Sequence, residues 1–274
     1  MPDCVGSLIR HVAAAACLAF TFVPAVSAQA PAASRASADF LTRYDFHLAL
    51  SALHLANPSL PLDEMRYHWD VHFGGDLDIV DYVSGRTTIL IDYEAVLGNE
   101  RRPFDPNQEY YTLEVSSSVR AGRGEVAGFL HHISRHLGDR RKIFPIAWNT
   151  VGARWLQQFA VASTRVDARI SAGRIVQSSY VDYTWMADAD VTVGRLIRPR
   201  FGVFAHGFGE AYGADGTRLE RGAHVGGRAD AGVRVEGQGG ALELFAGYER
   251  RLDADPLTLA SLRWTLVGVR FVAK

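Results

Sequence analysis

Between Met65 and Phe271 the chain repeats one pattern, in which apolar and polar residues alternate over runs of about ten residues. Successive side chains of a β-strand point to opposite faces, so this two-residue period gives each run one apolar face and one polar face. Such runs are typical of strands that cross a membrane in a closed barrel, with one face toward lipid and the other toward the lumen. The run 68–79 shows the separation most clearly, with apolar Trp69, Val71, Phe73, Leu77 and Ile79 alternating with Asp70, Asp76 and Asp78.

The alternation and the turn residues together predict an all-β fold, a closed antiparallel transmembrane β-barrel of about 12 strands over residues 41–274. Short connections alternate with long ones, which orients such a barrel with its short turns and both termini in the periplasm. Residues 40–56 also fit an amphipathic helix, which would leave eleven strands. We place the strands near residues 42–55, 66–82, 86–97, 109–121, 124–137, 146–157, 162–175, 180–195, 199–211, 221–236, 240–250 and 260–272.

A soluble β-sandwich is the other fold that alternating, glycine-rich strands can form. Strands in soluble domains are typically about 5 to 6 residues long, and many of the runs here are about twice that length. The length of the runs therefore favours the membrane barrel.

The N-terminal segment has the features of a secretory signal peptide over residues 1–28. Arg10 precedes the apolar run 12–26, and Val26-Ser27-Ala28 offers small residues for cleavage before Gln29. Export through such a segment, followed by a barrel, predicts location in the bacterial outer membrane of a Gram-negative cell.

The segment after the predicted cleavage site, residues 29–40, is rich in Ala, Ser and Pro, which predicts a disordered leader. Both cysteines, Cys4 and Cys17, fall inside the predicted signal peptide, so the mature barrel is expected to have neither a disulfide nor a thiolate metal site. A lipoprotein signal ending at Cys17 is an alternative, although the apolar run before it is short.

Charge is balanced, with 29 Lys and Arg against 30 Asp and Glu and a net charge of -1. This balance argues against a nucleic-acid partner, which would require a clustered basic surface. The alternation directs most strand charges inward, where a network of ion pairs across a narrow lumen is the expected role and a solute channel the alternative. These residues are Asp70, Asp76, Asp78, Asp92, Glu94, Arg120, Arg154, Arg165, Arg169, Arg228, Arg234 and Glu236.

Three polar residues near one predicted hairpin form a candidate catalytic set. On a strand, His132 and Ser134 share a face, and a hairpin symmetric about residues 141–142 places Ser134 opposite Asn149 and His132 opposite Val151. Serine hydrolases need a hydroxyl nucleophile, an imidazole base and a third polar group that orients the ring. The residues therefore predict His132, Ser134 and Asn149 as the catalytic group.

The neighbours of these three residues predict which wall of the barrel they occupy. Val126 and Leu130 share the face of His132, and Val151 and Trp155 share the face of Asn149, so this face is expected to meet acyl chains. The alternative is that His132 and Ser134 are ordinary polar residues facing the lumen, and a one-residue change of register would also separate Asn149 from them.

The segment 132–149 resembles the outer-membrane phospholipase A family, twelve-stranded barrels in which His-x-Ser closes one strand and Trp-Asn opens the next. His132, Ser134, Trp148 and Asn149 match that pattern, whereas Arg135-His136-Leu137 stands where the family has Asn-Gly-Arg. The resemblance implies that His132 is the base, Ser134 the nucleophile and Asn149 the orienting group. It also implies a site near the outer leaflet, calcium at the oxyanion site and activity on dimerisation. The His-x-Ser-x-His-Leu-Gly-Asp stretch is equally similar to uncharacterised outer-membrane barrels.

The resulting prediction is a lipid acyl hydrolase of the outer membrane, with membrane lipid as substrate and, from the resemblance, calcium and a homodimer. The alternative is a non-catalytic structural barrel or a narrow channel with a charge-filled lumen. A metal site built from His131, His132, His136 and Asp139 is a weaker interpretation, because no cysteine completes the ligand set.

Overall fold

The computed structural model describes residues 37–55, 66–99, 102–138 and 144–273. The predicted signal peptide, residues 1–28, and residues 29–36 of the predicted leader lie outside the described residues, so both remain predictions.

Twelve long strands and one short strand make up the described fold. Within the described ranges we find no helix with the length and apolar character needed to cross a membrane. The strands are β1 (Asp39–Phe40), β2 (Tyr44–Leu55), β3 (Trp69–Asp81), β4 (Arg86–Gly98), β5 (Asp105–Ala121), β6 (Gly124–Leu137), β7 (Ile146–Val161), β8 (Thr164–Ser179), β9 (Tyr183–Arg198), β10 (Phe201–Ala214), β11 (His224–Glu236), β12 (Gly240–Asp255) and β13 (Ala260–Ala273).

The sheet closes on itself. Consecutive long strands pair antiparallel, and β13 pairs with β2 through residues 264–272. This confirms the predicted twelve-stranded barrel, and β1 only extends the edge of β3 beyond the end of β2. The helical alternative for residues 40–56 is wrong, because the backbone groups of β13 find their partners on β2, as a closed barrel requires.

Side chains alternate between the outer wall and the lumen along each strand. In β2, Phe46, Leu48 and Leu50 are exposed outward, whereas Ala49 and Leu53 are buried inside. An outer wall of this kind is favourable against hydrocarbon and unfavourable against water. The fold is therefore a membrane barrel and not a soluble sandwich.

The lumen is crossed by contacts between strands that are not neighbours in the sheet. Arg251 of β12 pairs with Glu94 of β4 at 2.5 Å, and Arg135 of β6 donates to the main-chain oxygen of Asp253 at 2.9 Å. Buried apolar residues from several walls pack around the fully buried Trp264. These contacts fill the lumen and agree with the predicted ion-pair network better than with an open channel.

Connections at one end of the barrel are short turns, at residues 82–85, 122–123, 162–163, 199–200 and 237–239. At the other end the fully described connections are residues 180–182, 215–223 and 256–259, and the strands that flank residues 56–68, 99–104 and 138–145 also end there. The predicted boundary at residue 250 is wrong, because β12 continues to Asp255. Within this extension Asp253 binds groups from other parts of the chain, including Arg221 and Tyr183.

Arg221 anchors the loop 215–223 to the barrel. Its guanidinium donates to both carboxylate oxygens of Asp182, at 3.1 and 2.5 Å, and to Asp253 Oδ1 at 2.8 Å. Burial alone lowers the pKa of Arg221, but the hydrogen bonds that it donates to the two carboxylates outweigh burial and raise that pKa above its usual value. The arginine therefore stays charged at every pH at which the barrel is studied.

We expect Arg221→Ala to loosen this loop, because two buried carboxylates lose their cation. Amide hydrogen exchange across residues 215–223 should accelerate by about tenfold or more, which corresponds to roughly 1.4 kcal/mol of local stability. Arg218→Ala is the matched control, since Arg218 lies in the same loop and stacks on the Tyr180 ring at 4.2 Å. Equal exchange in both variants would contradict the anchoring role.

Candidate active site on the outer wall

The hairpin of β6 and β7 brings His132 directly opposite Asn149 and Ser134 opposite Ala147. The predicted register, with Ser134 opposite Asn149 and His132 opposite Val151, is therefore wrong by two residues. The hairpin is not symmetric about residues 141–142, because His136 and the residue after it extend beyond the paired part of β7 and pair only with β5. A shift of two residues leaves every side chain on its predicted face.

His132, Ser134 and Asn149 lie on the outer wall. Along the same strands, Leu130 and Val151 are 53% and 50% exposed, and they alternate with buried side chains that face the lumen. The alternative in which His132 and Ser134 face the lumen is therefore wrong. The polar groups sit on a surface that is otherwise apolar.

Asn149 orients the imidazole of His132. The two residues form a hydrogen bond of 2.7 Å between His132 Nδ1 and Asn149 Oδ1. Because the amide oxygen can only accept, Nδ1 carries the proton, and Nε2 is left as the basic nitrogen. Orientation of a ring through one nitrogen, with the other available as base, is the arrangement that general-base catalysis uses.

A third strand supports the orienting amide. Asn149 Nδ2 donates to Gln177 Oε1 of β8 at 2.9 Å. The register between β7 and β8 shifts between Asn149 and Thr150, and this irregularity leaves Gln177 opposite Asn149. Gln177 could not be predicted from the sequence, because no local pattern marks a register shift between two long strands.

Ser134 lies between two histidines on the same face of β6. Its hydroxyl forms a 3.0 Å hydrogen bond with His136 Nε2, and the ring of His136 packs edge-on against Tyr111 with centroids 5.0 Å apart. His132 and His136 each lie two residues from Ser134 on the same face, and in this structure the serine hydroxyl bonds to His136. From the sequence, His136 was predicted only as a candidate metal ligand.

The weaker metal interpretation of the histidine segment is not supported by the geometry. His131 points inward and contacts Glu114 at 2.9 Å, whereas His132 and His136 are on the outer wall. Asp139 lies outside the described residues. The three histidines therefore do not converge on one ion.

The inner side of the hairpin is rigidly packed. Trp148 is 2% exposed and meets the Tyr183 ring edge-on at 5.2 Å and the Tyr212 ring at 6.2 Å. The guanidinium of Arg135 lies 5.1 Å from the Trp148 ring. This packing holds the backbone of β6 and β7 in place behind the polar residues of the outer wall.

Calcium requires six to eight oxygen ligands. Among the described residues of this wall, Glu109 is the carboxylate nearest the serine by register, opposite His136, and Tyr111 donates to it at 3.2 Å. The Asn149 and Gln177 oxygens already accept hydrogen bonds. The described residues of one chain therefore do not fit a calcium site beside Ser134.

A closed antiparallel barrel with an apolar outer wall and a charged lumen defines the class: this is a β-barrel protein of the bacterial outer membrane. Outer-membrane phospholipase from Salmonella typhi, solved as a dimer with bound calcium, has a similar structure, with a TM-score of 0.50 and 12% identity over 83% of this chain and 90% of that chain. At this identity the likeness concerns the fold.

Two further solved barrels are similar at lower scores. Outer membrane phospholipase A from Escherichia coli has a TM-score of 0.49 and 11% identity over 83% of this chain and 92% of that chain. A toluene transporter from P. putida has a TM-score of 0.34 and 10% identity over 84% and 88% of the two chains. No protein-family model and no curated protein matches the sequence.

Proposed function

We propose that this barrel is a serine-dependent acyl hydrolase that cleaves esters of membrane lipid at its outer wall. The observation that carries the proposal is the 2.7 Å hydrogen bond between His132 and Asn149, beside Ser134 on a lipid-facing surface. A polar side chain placed against hydrocarbon lowers the stability of the protein, so polar residues at such positions usually serve a function. Here three of them are adjacent.

In this proposal Ser134 is the nucleophile, His132 is the base and Asn149 orients the imidazole ring. His132 Nε2 takes the proton of the Ser134 hydroxyl while Oγ attacks the ester carbonyl, and the same proton then passes to the departing alcohol oxygen. The acyl group stays on Oγ until water, deprotonated by His132, attacks the acyl carbonyl and releases the fatty acid and the free serine. Asn149 keeps the ring in the required tautomer throughout.

The position of the site matches a lipid substrate. It lies toward the end of the barrel that carries the longer connections, which is the outer end in barrels of this class. Exposed Leu130 and Val151 flank the polar residues, so acyl chains of the outer leaflet can lie along the wall with the ester beside Ser134.

Calcium and a homodimer belong to this proposal through the resemblance to the phospholipase family. No step above uses calcium. A second copy against this wall would add its own polar groups to those of the first. The calcium expectation is tested by the rate of hydrolysis with and without a chelator. The homodimer expectation is tested by the mass of the protein particle in detergent.

Covalent labelling tests the proposal directly. The barrel, purified in detergent, is incubated with an alkyl fluorophosphonate, which transfers its phosphoryl group to an activated serine with loss of fluoride. Peptide mass spectrometry should locate the label on Ser134, and phospholipid or lipid A added to the unlabelled protein should release fatty acid. Ser117 is the internal control, because it is exposed on the outer face of the neighbouring strand β5.

Two results would contradict the proposal. One is the absence of both label and fatty acid from a folded barrel. The other is equal labelling of Ser117 and Ser134, which would show that the reagent reports exposure and not activation.

A further inference from the structure

A cluster of two histidines and one aspartate lies inside the barrel, separate from the outer wall. His47 of β2, His72 of β3 and Asp92 of β4 each offer one ligand atom, and these atoms all lie within 4.8 Å of one another. All three residues occupy lumen-facing positions of adjacent strands.

The backbone register builds this cluster around a glycine. His47 is directly opposite Gly74, and Gly74 is directly opposite Asp92 on the next strand. A Cβ atom at Gly74 would lie 2.6 Å from Asp92 Oδ2 and 2.5 Å from the main-chain oxygen of Ile91. The missing side chain therefore leaves the space in which residues of β2 and β4 meet across the middle strand.

The contacts leave a ring nitrogen without a hydrogen bond. His47 Nε2 is buried and lies 3.0 Å from Asp92 Oδ2, as an ion-pair contact without the full geometry of a hydrogen bond. His72 Nε2 contacts the other oxygen of the same carboxylate, and the two rings meet edge-on with centroids 4.8 Å apart. Two imidazole nitrogens thus converge on the two oxygens of one carboxylate.

We propose that His47, His72 and Asp92 bind a divalent first-row transition cation, with Zn²⁺ as the representative ion. Two imidazoles and one carboxylate form a ligand set that suits zinc and its neighbours better than calcium or magnesium. Metal–ligand distances of about 2.0 to 2.2 Å place the donor atoms of one ion roughly 3 to 4 Å apart. The three ligand atoms now lie within 4.8 Å of one another, so small side-chain rotations would bring them to these separations.

A fourth ligand can come from the adjoining cavity. His72 lines a cavity of about 130 Å³, whose walls also include Asp70, Glu94 and Glu249. That volume has room for water, which completes the coordination of zinc where a protein supplies three ligands. Arg228 and Arg251 line the same cavity and pair with these carboxylates, so the charge of its walls is largely balanced.

His206 is another lumen histidine, and it does not belong to the proposed metal site. Its Nδ1 lies 3.1 Å from Asp230 and its Nε2 lies 3.2 Å from Asp190. Each nitrogen faces a different carboxylate, so a metal ion at either nitrogen would have to displace one of these contacts. His206 is therefore the matched control for the cluster.

A bound ion would join β2, β3 and β4, which include the strand that closes the barrel against β13. An ion that binds only the folded barrel stabilises it in proportion to the logarithm of its concentration. The role of the site is therefore structural and independent of Ser134.

The test is zinc binding by the full barrel in detergent, after treatment with a chelator, followed by calorimetry and elemental analysis. Wild type and His206→Gln should bind Zn²⁺ equally, with one ion at the cluster. His47→Gln and Asp92→Asn should weaken that binding by more than about tenfold, since even the partners of ligands change affinity by that factor. The double variant His132→Gln, His136→Gln removes the outer-wall histidines and should retain the ion.

Folding of each variant is checked by circular dichroism and by the shift in gel mobility on heating. Zinc binding that survives in folded His47→Gln and Asp92→Asn overturns the proposal, as does its absence from the wild type. Equal loss in His206→Gln also overturns it, because the effect would not then depend on the cluster.

Discussion

Replacing His132 by glutamine is expected to lower the rate of lipid ester hydrolysis by about 10² to 10⁴-fold, the usual contribution of a positioned general base. Glutamine keeps a polar group opposite Asn149 but cannot take the proton from Ser134. Ser134→Ala sets the background rate, because it removes the nucleophile. The measurement is fatty acid release from phospholipid in mixed micelles by equal amounts of folded protein.

His136→Gln is the variant that tests the assignment of the base. Ser134 is hydrogen-bonded to His136 at 3.0 Å in the structure, whereas His132 is the ring that an amide orients. We expect His136→Gln to retain most of the hydrolytic rate. If His136→Gln is inactive and His132→Gln is active, the base is His136, and the role assigned to Asn149 is wrong.

Replacing Glu243 by alanine is expected to destabilise the barrel by about 1.5 to 3 kcal/mol, the usual contribution of hydrogen bonds to charged groups, since Arg234 and Arg270 keep Glu236 and Asp230 as partners. Glu243 lies between Arg234 on β11 and Arg270 on β13, at 2.8 and 2.6 Å, and its side chain is 2% exposed. Without it, the two arginines lose their shared carboxylate in the lumen. Urea unfolding in detergent, followed by tryptophan fluorescence, measures the change.

Asp167→Ala is the control for this prediction. Asp167 pairs with Arg165 at 3.0 Å, but the two side chains are 40% and 60% exposed. Exposed pairs contribute about 0 to 1 kcal/mol, so this variant should be nearly as stable as the wild type. A similar loss in both variants would show that burial does not determine the strength of these pairs.

The number of strands and the face that each residue occupies could be predicted from the sequence, because both depend on the order of residues within single strands. A period of two decides which face each residue occupies, so the outward position of Leu130 and Val151 and the inward position of Asp92 follow from their neighbours alone. The same reasoning identified His132, Ser134 and Asn149 as residues of one wall. Their role in catalysis remains a prediction.

Which side chains of neighbouring strands come into contact depends on the register of the strands, and the sequence leaves this register open. The hairpin between β6 and β7 is offset by two residues from a symmetric one, so His132 and not Ser134 faces Asn149. The shift between β7 and β8 brings Gln177 to the same amide. Register is decided by the sum of pairings on both sides of each strand, and here the pairing of β6 with β5 extends beyond its pairing with β7.

By itself, therefore, the sequence determined that this chain forms a closed barrel with an apolar outer wall, and it named the polar residues on that wall. Only the tertiary structure decided which side chains meet, both at Asn149 and at the row of His47, Gly74 and Asp92. The physical reason is that alternation is a property of single strands, whereas contact across a sheet depends on the alignment of residues that are far apart in the chain.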